Sequence, residues 1–251
     1  EMAQSGYGRI KIFEDFLAGE DIVATTAATR SFGSEGLRVI GQGIEVNDSG
    51  ITVGEADGLN GVGILTTTNE DAHSCGLTTG KIFDVGKMAP INIECRVQFP
   101  DLDTKAFYFG LTDVNDDATI LEGEIGVAAS DTLTLSASDL CGFLLDAEAG
   151  TNHEDWIMAY NGGTTTGETS IPNIDAENVA VAGEWDILRL EIAINGTARW
   201  YVNGVLKQTV TGAVSTSTDL AVMALIETRA DSIEYAWIDY IAIEANRDWT
   251  E

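Results

Sequence analysis

The sequence predicts an all-β fold in which two antiparallel sheets pack face to face. Three observations carry that expectation. Period-two hydrophobic segments recur along the chain, Gly, Asn and Asp punctuate them, and no long stretch shows the 3.6-residue apolar period of a helix. Only three residues are proline and none falls inside a periodic run, so these strands can pair on both sides.

The candidate strands follow in order. Residues 8–16 hold IKIFEDF, 37–44 hold LRVIGQGI, 50–53 read GITV and 63–67 read GILTT, each short and β-branched or aliphatic. In 91–99, INIECRVQF, the residues Ile91, Ile93, Cys95, Val97 and Phe99 alternate onto one face. Segments 106–112 (AFYFGLT), 141–146 (CGFLLD), where Cys141 shares a face with Phe143 and Leu145, and 156–160 (WIMAY) are further candidate strands. Then come 185–194, 198–202 and 205–210, and last 220–227 (LAVMALIE) and 233–244 (IEYAWIDYIAIE). Two long polar loops separate them, 113–137 and 161–179. The first is long enough to hold a short strand, and loops of that length in a compact fold are usually functional or partner-facing.

The chain has 251 residues, 44% of them hydrophobic, which supports one core. No repeat or composition break divides it, so one domain is expected over 1–251, with polar segments 1–7 and 246–251 as candidate contacts. Thirteen Lys and Arg stand against 41 Asp and Glu, a net charge of -28. That field repels phosphate backbones and anionic lipid heads, so neither nucleic acid nor a membrane surface is an expected partner. Cys75, Cys95 and Cys141 show neither disulfide nor zinc spacing and read as small core residues, and no cofactor is expected. No apolar run reaches the length of a membrane span. The start, EMAQSGYGRIK, lacks a basic-then-apolar signal, so synthesis in a cytoplasm is the expectation.

The stretch EWDILRLEIAINGTARWYVNGV, 184–205, is the most informative. Leu188, Leu190, Ile192 and Ile194 share one face, while Ile187, Arg189 and Glu191 share the other. Asn195-Gly196 and Asn203-Gly204 are two-residue turn signals, so three strands form a meander. Asn195-Gly196-Thr197 also fits a glycosylation acceptor, and the turn reading takes precedence.

GEWDILRLEIAINGTARWYVNGVLKQTV resembles the back-sheet meander of concanavalin A-like jelly rolls, the superfamily of lectins, laminin-G domains and glucanases. IKIFEDF resembles the first strand of that fold, PINIECRVQFPDLDTKAFYFGLTD its central pair and SIEYAWIDYIAIEANRDW its closing strand. The arrangement, with the terminal ANRDW, also resembles structural proteins of tailed phages, marine ones in particular. The resemblance implies a concanavalin A-like sandwich, but it leaves function open because this sandwich carries many activities.

Four chemistries can be weighed. Glucanases of the superfamily carry E-x-D-x-x-E or E-x-D-x-E, a nucleophile, a supporting Asp and an acid/base about 5 Å away. Glu184 and Asp186 match the first two positions, but Leu188 and Arg189 stand where the acid/base belongs, so a non-enzymatic protein is expected. His73 and His153 lie in polar loops with no nucleophile motif near them. DVNDDATILEGE sets Asp113, Asn115, Asp117 and Glu124 at positions 1, 3, 5 and 12 of a calcium-loop pattern, with Ala118 in place of the glycine. Trp156, Tyr160 and Trp200 are the aromatics that would stack on a sugar if exposed, and Trp249 is a terminal aromatic able to dock on a neighbour. Taken with the phage resemblance, these readings lead to a virion structural protein, a capsid decoration or cement protein. Its partners would be the major capsid protein and copies of itself, through 1–7, 161–179 and 246–251. A lectin-like module binding glycan is the alternative, and an inactive or divergent glycoside hydrolase the third.

Overall fold

The computed structural model describes residues 8–17, 21–23, 31–32, 36–44, 46, 49–54 and 61–248. Two nine-stranded sheets face each other, and the strand pairings are antiparallel. Sheet 1 runs β18 (Val205–Val210), β17 (Ala198–Val202), β16 (Trp185–Ile192), β9 (Ile91–Gln98), β20 (Tyr235–Asn246), β6 (Gly63–Thr66), β5 (Gly50–Val53) and β2 (Ile22–Val23). β1 (Arg9–Glu14) also pairs with β20, beyond the reach of β6. Sheet 2 runs β15 (Asp175–Val179), β14 (Asp155–Asn161), β13 (Leu140–Asp146), β10 (Lys105–Thr112), β19 (Asp219–Thr228), β7 (Ser74–Thr78), β4 (Leu37–Ile40) and β3 (Ser31–Phe32), with β8 (Phe83–Asp84) on β19. A separate hairpin joins β11 (Gly126–Ala129) to β12 (Thr132–Leu135). The helical turns α1 (Val85–Met88) and α2 (Ile171–Ile174) are four residues each.

Alternation builds the core. Ile91, Ile93, Cys95 and Val97 of β9 and Leu188, Leu190 and Ile192 of β16 point inward from sheet 1 and are buried. They meet Phe107, Phe109, Phe143 and Trp156 from sheet 2. Phe99 bridges the layers, with its ring centroid 5.3 Å from Phe107 and 6.1 Å from Trp156. Trp200 of sheet 1 lies 6.0 Å from Tyr160 of sheet 2 and donates its indole N–H to the Gly142 carbonyl at 2.9 Å. Buried indoles keep a polar partner in this way because an unpaired N–H in the core is costly. All three cysteines are buried, and burial pushes the Cys95 and Cys141 thiols well up.

The expected meander is present, with one difference. Val202 pairs with Val205 across Asn203-Gly204, and both turn residues have positive φ (51° and 77°), as a two-residue hairpin needs. The other connection is longer than the Asn195-Gly196 signal implied. Ile192 pairs with Ala198, and the chain turns through 193–197 with the Ala193 N–H bonded to the Thr197 carbonyl.

Candidate functional site

The unusual region lies on the outer face of sheet 2. Phe107, Phe109 and Leu111 of β10 point into the core, so Ala106, Tyr108, Gly110 and Thr112 point away from it. Register brings Leu140, Gly142, Leu144 and Asp146 of β13 and Met223, Leu225 and Glu227 of β19 onto the same outer face. A sheet face left to solvent would be polar, but all of these residues are buried and, apart from Thr112, Asp146 and Glu227, they are apolar or glycine. The Tyr108 ring lies across two glycines: a Cβ on Gly110 would come 2.7 Å from its hydroxyl, and one on Gly142 2.9 Å from its ring. The hydroxyl donates to the Leu111 carbonyl at 2.7 Å.

The chain's own segment 113–137 covers this face. It leaves β10 and crosses to the far side, where Asp117 pairs with Arg38 and its carbonyl accepts the Gly41 N–H. It then returns over β7, where the Thr119 carbonyl accepts the Ser74 hydroxyl at 2.6 Å, and over β19 through the turn Leu121–Ile125. The β11–β12 hairpin completes the cover. Ile125, Leu133 and Leu135 close over Tyr108, Leu140, Leu144 and Ala159, around a void too small for a water molecule. The loop, of a length that from sequence read as functional or partner-facing, is packed on its own sheet.

Charged groups beneath the cover are paired. The Arg229 guanidinium meets Asp146 at 2.7 Å and Glu227 at 2.6 Å, with Glu122 at 3.6 Å on the outside. Asp146 also accepts the Ala128 N–H at 2.9 Å, and Glu227 accepts the N–H groups of Leu121 at 2.5 Å and Glu122 at 3.2 Å. The carboxylates therefore hold the cover down. Burial pushes the Glu227 carboxyl up to about 7, against the pull of Arg229 and the two backbone N–H groups. A second buried pair closes one end of the sandwich, where the Lys105 ammonium lies 2.6 Å from Asp101 and 2.7 Å from Glu234.

The residues singled out by sequence fall elsewhere. Glu184 is exposed just before β16, and Asp186, in β16 of sheet 1, accepts the indole N–H of Trp156 from sheet 2 at 2.9 Å and the Asn203 amide at 2.7 Å. Leu188 is core, and Arg189 stands on the opposite face, paired with Glu191. His73 meets the Thr68 hydroxyl at 2.5 Å and Glu70 at 3.2 Å, while His153 is exposed.

The two weaker alternatives read from sequence, a calcium loop and a sugar-stacking set, do not come together. Asp113, Asn115, Asp117 and Glu124 do not converge: they bind the Asp139 N–H, the Thr78 hydroxyl, Arg38 and the Ile120 N–H respectively. Among the described residues no group of three His, Cys, Asp or Glu side chains gathers as metal ligands would. Trp156, Tyr160 and Trp200 are buried between the sheets, so none offers a ring face to a sugar. Segment 1–7 and Trp249 lie outside the described residues, while the 161–179 loop is partly ordered as α2 and β15, with Ile171 and Ile174 buried.

Sequence reasoning missed the Arg229 cluster and a groove on the outer face of sheet 1. The cluster did leave a signal, a Glu at an outer-face position of the apolar run LAVMALIE, two residues before an Arg. The groove, of about 330 Å³, is floored by Ala242 and flanked by Lys11, Phe13, Glu94, Arg189 and Glu244. Phe13 is 57% exposed and stacks on Tyr240 at 6.0 Å.

No protein-family model matches the chain, and no curated protein matches its sequence. Solved structures do match in shape. A protein of unknown function from Shewanella oneidensis MR-1 superposes with a TM-score of 0.56 at 12% identity, covering 97% of this chain and 89% of that one. A glycoside hydrolase family 16 endo-glucanase from Bacteroides ovatus gives 0.55 at 13% identity, covering 92% and 99%. The metal-free carbohydrate recognition domain of Emp46p gives 0.52 at 11% identity, covering 92% and 97%. At these identities the likeness concerns the fold alone. With its two large antiparallel sheets, the chain has the concanavalin A-like jelly-roll fold of those lectins and glucanases.

Proposed function

We propose that this chain is a non-enzymatic structural protein of a virion, displayed on the capsid of a tailed phage as a decoration protein. The observation that supports it most is the covered face of sheet 2. Ligand and catalytic sites are concave and reachable, whereas here one broad face is filled by segment 113–137 and its two carboxylates are committed to Arg229 and to backbone N–H groups. The result is a rigid sandwich rather than a cleft. The whole-chain resemblance to phage structural proteins and the -28 charge, suited to the outside of a particle that holds DNA, point the same way. Shell symmetry would multiply weak contacts with the major capsid protein into stable attachment.

Mass spectrometry of purified particles, with copies counted against the major shell protein and located by cryo-microscopy, tests the reading. Hundreds of copies per particle are expected, a handful would move the protein to the tail or a fibre, and absence from the particle would defeat it. Incubation with β-glucans, agarose and carrageenan is expected to release no reducing ends. Release that Glu184→Gln abolishes would make the chain an enzyme.

Glycan binding is the second reading, and the groove beside Phe13 favours it, since an exposed ring next to charged and polar groups is suited to a sugar face. A glycan array probed with the wild type and with Phe13→Ala decides it: signal lost in the variant supports the reading, and no signal at millimolar glycan ends it.

A further inference from the structure

We infer that β18 is a homotypic docking edge, which pairs antiparallel with β18 of a second copy and so carries sheet 1 from one molecule into the next. Three features converge on it. The first is the open ladder. β18 pairs only with β17, and among the described residues nothing else hydrogen-bonds to the backbone of Val205–Val210. An edge strand with unpaired N–H and C=O groups is a template for another strand, and a two-fold antiparallel pair is self-complementary by geometry.

The second feature is apolar exposure. Val205 is 58% exposed and Leu206 49%, and on β15, which lies alongside, Val179 is 56% exposed. Val181, just past β15, is 49% exposed. The third is charge. None of the 41 Asp and Glu falls between 192 and 218, while Arg199 and Lys207 do. Two molecules that each carry -28 repel strongly, so a contact between like copies requires a strip free of carboxylates. β17 and β18 form that strip. Both β18 and the neighbouring edge β15 show a register shift against their partner strand, but β15 alone carries carboxylates, Asp175 and Glu177, and Glu177 sits at φ 48°. Among the described residues, the edge strands β2 and β3 are two residues long, and the edge strand β1 carries Arg9, Lys11 and Glu14.

The contact is a property of the isolated chain and stands apart from the virion reading. Sedimentation of the full chain over a micromolar concentration series is expected to show a monomer–dimer equilibrium that tightens as salt screens the net charge. Leu206→Glu sets like charges near the two-fold axis and is expected to weaken dimerisation by at least about tenfold. Ile82→Glu, the same kind of change at an exposed apolar residue off the edge, is expected to leave it unchanged. Val205→Cys, Lys207→Cys and Thr209→Cys, oxidised one at a time, are expected to cross-link at the register position and less at the others, since the three native thiols are buried. A wild type that stays monomeric overturns the inference. So does a Leu206→Glu protein that dimerises like the wild type, equal weakening by Ile82→Glu, or the absence of any cross-link.

Discussion

Glu227 shows how one buried side chain sets a pH response. An unfolded Glu titrates near 4.5, while in the fold burial raises Glu227 to about 7. The folded state therefore holds the proton more tightly, and the stability this group contributes is full below about pH 4.5 and lost as pH rises through 7. The change is on the order of 3 kcal/mol. Urea unfolding of the wild type and of Glu227→Gln at a series of pH values isolates it. The wild type is expected to lose stability relative to the variant between pH 4.5 and 7, with no further relative change above that, and a pH-independent difference would refute the raised pKa. Arg229 is the complementary case. Arg229→Met leaves Asp146 and Glu227 buried without a countercharge, and a loss of about 3–5 kcal/mol is expected at pH 8, shrinking as acid protonates Glu227.

At the scale of elements, the cover over sheet 2 is part of the core. Leu121→Ala and Leu133→Ala, both at fully buried positions of segment 113–137, are each expected to cost about 2–5 kcal/mol in urea unfolding. A mobile flap would show almost no cost. Calcium or chelator is expected to leave the Tm unchanged, because Asp113, Asn115, Asp117 and Glu124 serve four separate bonds. The reason this segment read as a loop is physical. Its apolar residues Leu121, Ile125, Leu133 and Leu135 are spread among polar ones without a sustained period, since they pack on a sheet and not within one. β7 escaped notice for a related reason: SCGLT is buried throughout, so it shows no alternation and its small residues carry little β signal. By contrast β9, β16, β17 and β20 were legible to within a residue or two, because a sustained period leaves little choice of register, and β10, also buried throughout, was legible from its aromatic and aliphatic run AFYFGL. The candidate site was legible only in its parts. That Asp146 and Glu227 meet depends on β10 lying between their strands, a pairing distant in sequence that no local pattern encodes.

For the whole molecule, charge and topology dominate. With -28 spread over one sandwich, raising NaCl from 10 mM to 0.5 M is expected to raise the Tm by several degrees as self-repulsion is screened, a shift that differential scanning calorimetry reads directly. A flat or falling Tm would mean that local ion pairs such as Arg9–Glu244 outweigh the net field. Topology adds a constraint on synthesis. β20, the last strand of the sandwich in chain order, lies in the interior of sheet 1, with β9 on one side and β1 and β6 on the other. Until it arrives, the two halves of that sheet have no common neighbour and the core of the sandwich lies open to water. The sandwich therefore cannot close until these twelve residues have joined it. Any truncation before Tyr235 yields a product fit for proteases and chaperones rather than a smaller sandwich.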